Sequence, residues 1–221
     1  MSPKPYAVAR LEDMALVKSS ASFDIRPVRL HFGIASFGVN AYTATGGEHV
    51  IEEHDELGHG AGRHEELYFV ASGHATFELA GEEIDAPAGT LVFVGDPAVR
   101  RAAKAKVEGT TVLVVGGVVG RPFEPSPWEA WLAAMPLLDA GHPEEGIDVF
   151  KEALERYPGN PNVLYNLACF EALAGRADDA LDHLAAAVEA DPRTREWAQN
   201  DEDFVSIRDD PRFPARADGS D

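Results

Sequence analysis

The chain has 221 residues, of which 45% are apolar and 26% charged, and its formal charge is −19. That length holds one large core or two small ones. The acidic balance repels phosphate backbones and anionic lipid heads, no basic stripe interrupts it, and no run of about 18 apolar residues occurs, so nucleic acid and membrane are excluded as partners.

The opening stretch "MSPKPYAVARLEDMALVKSS" has no continuous apolar segment and carries Glu12 and Asp13 early, so it does not read as a signal peptide. Cys169 is the only cysteine, which forbids an internal disulfide and fits a cytoplasmic setting. Residues 1–27 read as an N-terminal extension with a weak helical period over 6–18. Residues 28–120 read as strands. "FELAG" and "EEIDAPAG" flank a turn at Gly81, and "TLVFV" and "TTVLVVGGVV" are β-rich runs bounded by Gly, Asp and Pro. Gly46-Gly47 and "GDP" at 95–97 are turn signals. Runs that are apolar on both faces predict strands inside a sandwich or barrel.

The period changes after "GRPFEPSP", whose Pro122, Pro125 and Pro127 mark a linker over 121–127. From Trp128 the chain is rich in Ala, Leu and Glu, with apolar residues spaced by three and four, which predicts helices. An internal repeat appears at an offset of 34 residues. Gly141 falls on Gly175, Gly146 on Ala180, Ile147 on Leu181, Phe150 on Leu184, Ala153 on Ala187 and Pro158 on Pro192. Small residues let paired helices approach, glycine ends each first helix in a left-handed conformation, and proline stops each second one. This pattern resembles tetratricopeptide repeats, with two units over 128–192. Leu137 and Glu171 stand where that family commonly has an aromatic. The tail, 193–221, offers Trp197, Phe204, Ile207 and Phe213 as a terminal cap. His142 and His183, within the repeats, are expected on the surface.

The stretch His49–His74 holds five of the eight histidines. Within "HEELYFVASGHATFELAGEEIDAPAGTLVFV", Glu66 and Gly73 are separated by six residues and Pro87-Ala-Gly89 opens a second motif. These spacings resemble the two cupin motifs. The expected architecture is therefore α+β and multidomain: a cupin-like β-barrel of jelly-roll type followed by an all-α helical-repeat domain. The resemblance implies a divalent transition metal (Fe, Mn, Ni, Cu or Zn) held by histidines and a glutamate. Glu66 occupies the glutamate position, while Ala61 and Val92 stand where ligating histidines are expected. His54, His59 and His64 are the remaining candidates for a shell with Glu66, and His64 and Glu66 share a strand face. Against this stand solvated loop histidines, or a His64–Glu66 hydrogen-bonded pair. Tyr68 continues the inward face as a candidate acid or base, and Arg100 and Arg101 are candidate ligand clamps.

Two functions follow as expectations. One is a small-molecule cupin enzyme using dioxygenase, isomerase or lyase chemistry. The other is a non-enzymatic sensor or adaptor, in which the repeats hold a protein partner or brace the barrel. The resemblance also implies a homodimer through the barrel.

Overall fold

A computed structural model of the chain describes residues 7–18, 23–46 and 49–214. The start of the helical period at residue 6, Gly47 of the Gly46-Gly47 turn and the tail beyond 214 lie outside the described residues. The chain divides into two units, Met1–Pro125 and Ser126–Asp221.

In the first unit the chain forms β1 (Val17–Lys18), β2 (Phe23–Arg26), a short helix α1 (Val28–Phe32), β3 (Gly38–Ala44), β4 (His49–His54), β5 (Glu65–Ser72), β6 (His74–Leu79), β7 (Glu82–Pro87), β8 (Leu91–Val94), β9 (Arg101–Ala105) and β10 (Thr111–Gly117). The antiparallel pairs are nested: β6 with β7, β5 with β8, β4 with β9, and β3 with β10. That is one long hairpin whose tip is the β6–β7 turn. Two further pairs, β10 with β5 and β9 with β6, roll it into sheets ordered β1-β2-β3-β10-β5-β8 and β4-β9-β6-β7. A rolled hairpin of this kind is a jelly roll. Among the described residues no ladder is found between the two sheets, which face each other across one core.

Local chemistry sets the tip and the rim. Ala80 and Gly81, with φ of 51° and 86°, make the two-residue turn between β6 and β7, whose twist suits a tight hairpin. Gly73 (φ 77°) lies against Thr110 with no space for a Cβ. Alternation along β5 sends Glu66, Tyr68 and Val70 inward and Leu67 and Ala71 outward. The core between the sheets gathers Val50, Tyr68, Val70, Phe77, Ala103 and Val112.

Two stretches depart from the sequence reading. Residues 17–18 and 23–26, assigned to the extension, pair with each other and with β3 and so lengthen the larger sheet. The weak helical period before them shrinks to a turn of 3-10 helix at Leu11–Asp13, because strand pairing outweighs a marginal local preference. "VRLHF" forms α1 instead of a strand, and Gly33 (φ 65°) caps it.

The second unit has five helices among the described residues: α2 (Glu129–Asp139), α3 (Pro143–Arg156), α4 (Pro161–Leu173), α5 (Ala177–Ala190) and α6 (Arg193–Asn200). The repeat register holds at the caps. Gly141 and Gly175 adopt φ of 81° and 78°. His142 and Arg176 donate their backbone N–H groups to the carbonyls of Leu137 and Glu171, at 2.8 Å each, closing each first helix. The Asn160 side chain accepts from the N–H groups of Asn162 and Val163 and starts α4. Gly146 brings α3 onto α4, where a Cβ would collide with the Phe170 ring. Phe204, Ile207 and Phe213 are buried with Leu164, Ala168, Leu181 and Leu184, completing the terminal cap. Trp197 stays partly exposed and meets Tyr165 edge-on at 5.7 Å.

Candidate functional site

The polar centre of the sandwich is Glu66, which β5 turns inward. Across from it, on the other sheet, His54 ends β4 and Arg101 begins β9, and the ladder pairs those two directly. Their side chains therefore arrive side by side at one carboxylate. Arg101 donates to Glu66 Oε2 from Nη2 (2.8 Å) and from Nε (3.1 Å). The Tyr68 hydroxyl, two residues along β5, donates to the same oxygen and accepts from Arg101 Nε at 3.3 Å. His54 Nε2 stands 3.6 Å from it.

The guanidinium is fixed from behind. Arg101 Nη1 donates to the carbonyls of Val99 (2.7 Å) and Pro97 (3.2 Å), and its side chain is 1% exposed. A charge so deeply buried needs a partner and full hydrogen bonding, and Glu66 with the two carbonyls supplies both.

These contacts set the protonation states. Burial pushes the Glu66 carboxyl up, but His54, Tyr68 and Arg101 more than offset it and hold its pKa at about 2. Burial and the adjacent carboxylate push the Tyr68 hydroxyl well above its ordinary value, so it remains a donor. Burial pulls the His54 imidazole down, yet Glu66 and the Glu52 carbonyl raise it overall. The geometry gives the reason. His54 Nδ1 lies 2.8 Å from the Glu52 carbonyl, which only accepts, so Nδ1 carries a hydrogen; Nε2 faces a carboxylate and is favoured as a donor too. His54 keeps 34% of its side chain exposed, so it is the titrating group of the cluster that solvent reaches most easily.

Glu56 completes the cluster and escaped sequence reasoning. It is buried at the start of the loop after β4, and Oε2 accepts from the backbone N–H groups of Gly62 (2.9 Å) and His64 (3.2 Å), tying the loop to the start of β5. No periodicity marks it, since an acidic residue in a Gly-rich loop reads as solvated.

The sequence-derived candidates distribute as follows. His54, Glu66, Tyr68 and Arg101 come together. His64 shares the inward face with Glu66 and is buried, but its ring lies 5.5 Å from that of Phe123 and its Nε2 has no hydrogen-bond partner among the described residues. His59 is exposed in the loop. Arg100, the neighbour of Arg101, points the other way and pairs with Glu53 at 2.9 Å. It borders an open groove of about 400 Å³ that Arg101, Glu78 and Asp96 also line. In the helical unit His142 is exposed, whereas His183 is half-buried against Glu171.

One ligand atom each from His54, Glu56 and Glu66 lie within 4.8 Å of one another, a donor set of one imidazole and two carboxylates that suits a divalent transition metal by type. The bonding already present does not suit one. Glu66 Oε2 is the acceptor for three N–H and O–H donors, and Glu56 Oε2 is held by two backbone N–H groups. The cation of this site is the guanidinium of Arg101. A second grouping, Cys169 with Asp201 and Asp203, lies in the helical unit. There burial and the aspartates push the thiol well up, and it stays protonated.

The nested strand pairing and the inward Glu66 make the first unit a cupin-like jelly roll, and the capped 34-residue register makes the second a tetratricopeptide-type array. The profile of the Tetratricopeptide repeat family matches residues 137–199. No curated protein is significantly similar to the chain. Among solved structures, similar folds include a cupin protein from Bacteroides fragilis (19% identity, 53% of this chain and 88% of that one, TM-score 0.41). They also include an RmlC-like cupin from Shewanella frigidimarina (12%, 53% and 95%, 0.38). A third is Pac13 from Streptomyces, a nucleoside dehydratase (20%, 50% and 81%, 0.37). Among the described residues no helix is long and apolar enough to cross a membrane.

Proposed function

We propose that the sandwich binds a small polar molecule at the His54–Glu66 pair and transfers a proton to or from it. The observation that supports this is the 3.6 Å approach of His54 Nε2 to a buried carboxylate held ionised, with the ring still one-third open to solvent. Nδ1 is committed to the Glu52 carbonyl, so the proton in play is that of Nε2, which at 3.6 Å from Glu66 is loosely held and can turn to an oxygen of a hydroxyl- or carbonyl-bearing ligand; once deprotonated, Nε2 is the matching base. Tyr68 and Arg101 act through Glu66: they fix its charge and direction and so position His54. Whether turnover follows, by isomerisation or elimination, depends on the ligand, because a fold does not dictate a reaction.

The test is ligand-observed and imidazole-observed NMR on the full chain with a panel of sugars, sugar acids and nucleosides. Binding that shifts the His54 ring signals and disappears in His54→Ala supports the reading. Ligands that bind while those signals stay fixed would overturn it.

The tetratricopeptide match favours a second activity in the helical unit, capture of a protein segment. The acidic balance beyond Gly120, 9 basic against 22 acidic residues, selects a basic segment. Pull-down with Lys/Arg-rich and Asp/Glu-rich peptides separates this from a purely structural role: equal retention of both would count against it.

A further inference from the structure

We infer that the Arg101 guanidinium is a built-in cation that takes the place of a divalent metal ion among His54, Glu56 and Glu66, and that replacing it with a neutral side chain converts these residues into a metal site. The inference rests on geometry alone and is independent of any ligand or turnover.

The positions of the charges carry it. Two carboxylates and one imidazole bring ligand atoms within 4.8 Å of one another, a grouping that could hold a divalent ion. Two buried carboxylates without a counter-charge are costly, so a cation must be present. The chain supplies its own: Arg101 reaches Glu66 Oε2 with two N–H groups and cannot release its proton. It is also held there. The carbonyls of Pro97 and Val99 pin Nη1, so the guanidinium cannot swing away to admit an ion without leaving both carbonyls without this donor. Tyr68 closes the remaining side by bonding to both Glu66 and Arg101.

Remove the guanidinium and the balance inverts. With methionine at 101, the Glu66 carboxylate keeps only Tyr68 as a close donor, the two carbonyls lose their partner, and the local charge becomes that of two carboxylates. A divalent ion then restores neutrality once His54 Nε2 gives up its proton to solvent and becomes a ligand, the three ligand atoms being already close together. Lysine at 101 keeps the positive charge and should keep ions out.

Cobalt(II) is a suitable probe, because its visible spectrum reports nitrogen and oxygen ligation while calorimetry counts equivalents. The full chain would be compared as wild type, Arg101→Met, Arg101→Lys, and each of the first two with His54→Ala. The inference expects Arg101→Met to gain one equivalent, bound at least about ten-fold more tightly than anything lost from wild type by His54→Ala. The added His54→Ala should remove that equivalent, and Arg101→Lys should behave as wild type. A folded Arg101→Met protein that gains no ion overturns the inference. So does a wild-type protein that binds one equivalent and loses it on His54→Ala, a comparison that stands even if Arg101→Met does not fold. An ion gained by Arg101→Lys overturns it as well.

Discussion

Gly146 on α3 and Phe170 on α4 touch so closely that the glycine Cα faces the ring edge, and a Cβ at 146 would overlap the ring carbons. Phe170 is buried and in turn meets Phe150 edge-on at 5.0 Å, so its ring is also hemmed in from a second side. On helix propensity alone Gly146→Ala would stabilise α3 by about 1 kcal/mol. The overlap is expected to reverse the sign and cost about 1–3 kcal/mol net. All three tryptophans lie in this unit, so urea unfolding followed by tryptophan fluorescence reads the effect directly. A more stable variant would mean that the helices part without penalty.

The terminal cap is expected to be equally sensitive. Phe204 is fully buried and meets Tyr165 and Phe213 edge-on at 5.5 and 6.0 Å. Phe204→Ala should cost about 3–5 kcal/mol, the range for an aromatic side chain removed from a core. The same fluorescence measurement checks it, and a loss under 1 kcal/mol would show that residues 202–213 do not cap the array.

Breaking the Arg101–Glu66 pair should destabilise the sandwich. Arg101→Met leaves a buried carboxylate without its counter-charge and is expected to cost about 3–5 kcal/mol. Adding Glu66→Gln should recover part of that, because the stranded charge is gone. Far-UV circular dichroism during urea unfolding is the appropriate readout, since the tryptophans report on the other unit. If the double variant is no more stable than the single, the carboxylate charge is not what makes the pair matter.

Glu171 is fully buried in α4, and its Oε2 faces His183 Nδ1 on α5 at 2.7 Å. The hydrogen bond to Glu171 raises the His183 pKa above the ordinary 6.5, with Asp179 adding to the rise and Lys151 and partial burial opposing it. A folded-state pKa above the unfolded value contributes stability that is complete below about 6.5 and is lost as pH rises through the folded pKa. The helical unit should therefore weaken from pH 6 towards alkaline pH, and His183→Gln should flatten that limb. Fluorescence-detected melting from pH 5.5 to 9 checks it, and an unchanged slope in the variant would rule His183 out as the source.

The His54 imidazole should titrate above 6.5, and Glu66→Gln should lower it by removing the carboxylate that favours the charged ring. Two-dimensional NMR of the ring protons measures both values. A His54 pKa indifferent to Glu66→Gln would separate the two residues and leave the proposed proton transfer without support.

Much of this molecule can be read in one dimension. Glycines at 73, 81, 141 and 175 sit where the backbone turns left-handed, a requirement that local sterics impose wherever the chain goes. The offset of 34 residues fixed the helical register, and the inward face of Glu66, Tyr68 and Val70 followed from the period of a strand. Local signals failed where long-range pairing decided. Residues 17–18 and 23–26 became strands because β3 was there for β2 to pair with and β2 for β1, and "VRLHF" became a helix.

The site divides along the same line. The sequence placed Glu66 and Tyr68 on one face through the period of a strand, and put His54 and Arg101 in view through their places relative to the cupin motifs. It could not say that β4 and β9 would set His54 directly beside Arg101, nor that Arg100 and Arg101 would part to opposite faces, nor that Glu56 would fold under its loop. Those are contacts between residues as many as 47 positions apart, from the Glu53–Arg100 ion pair to the Glu66–Arg101 bond. The contacts between β4 and β9 exist only once two distant strands have paired, and the Glu66–Arg101 bond only once the two sheets face a common core, since an isolated strand fixes which face a side chain occupies and leaves open what stands opposite it.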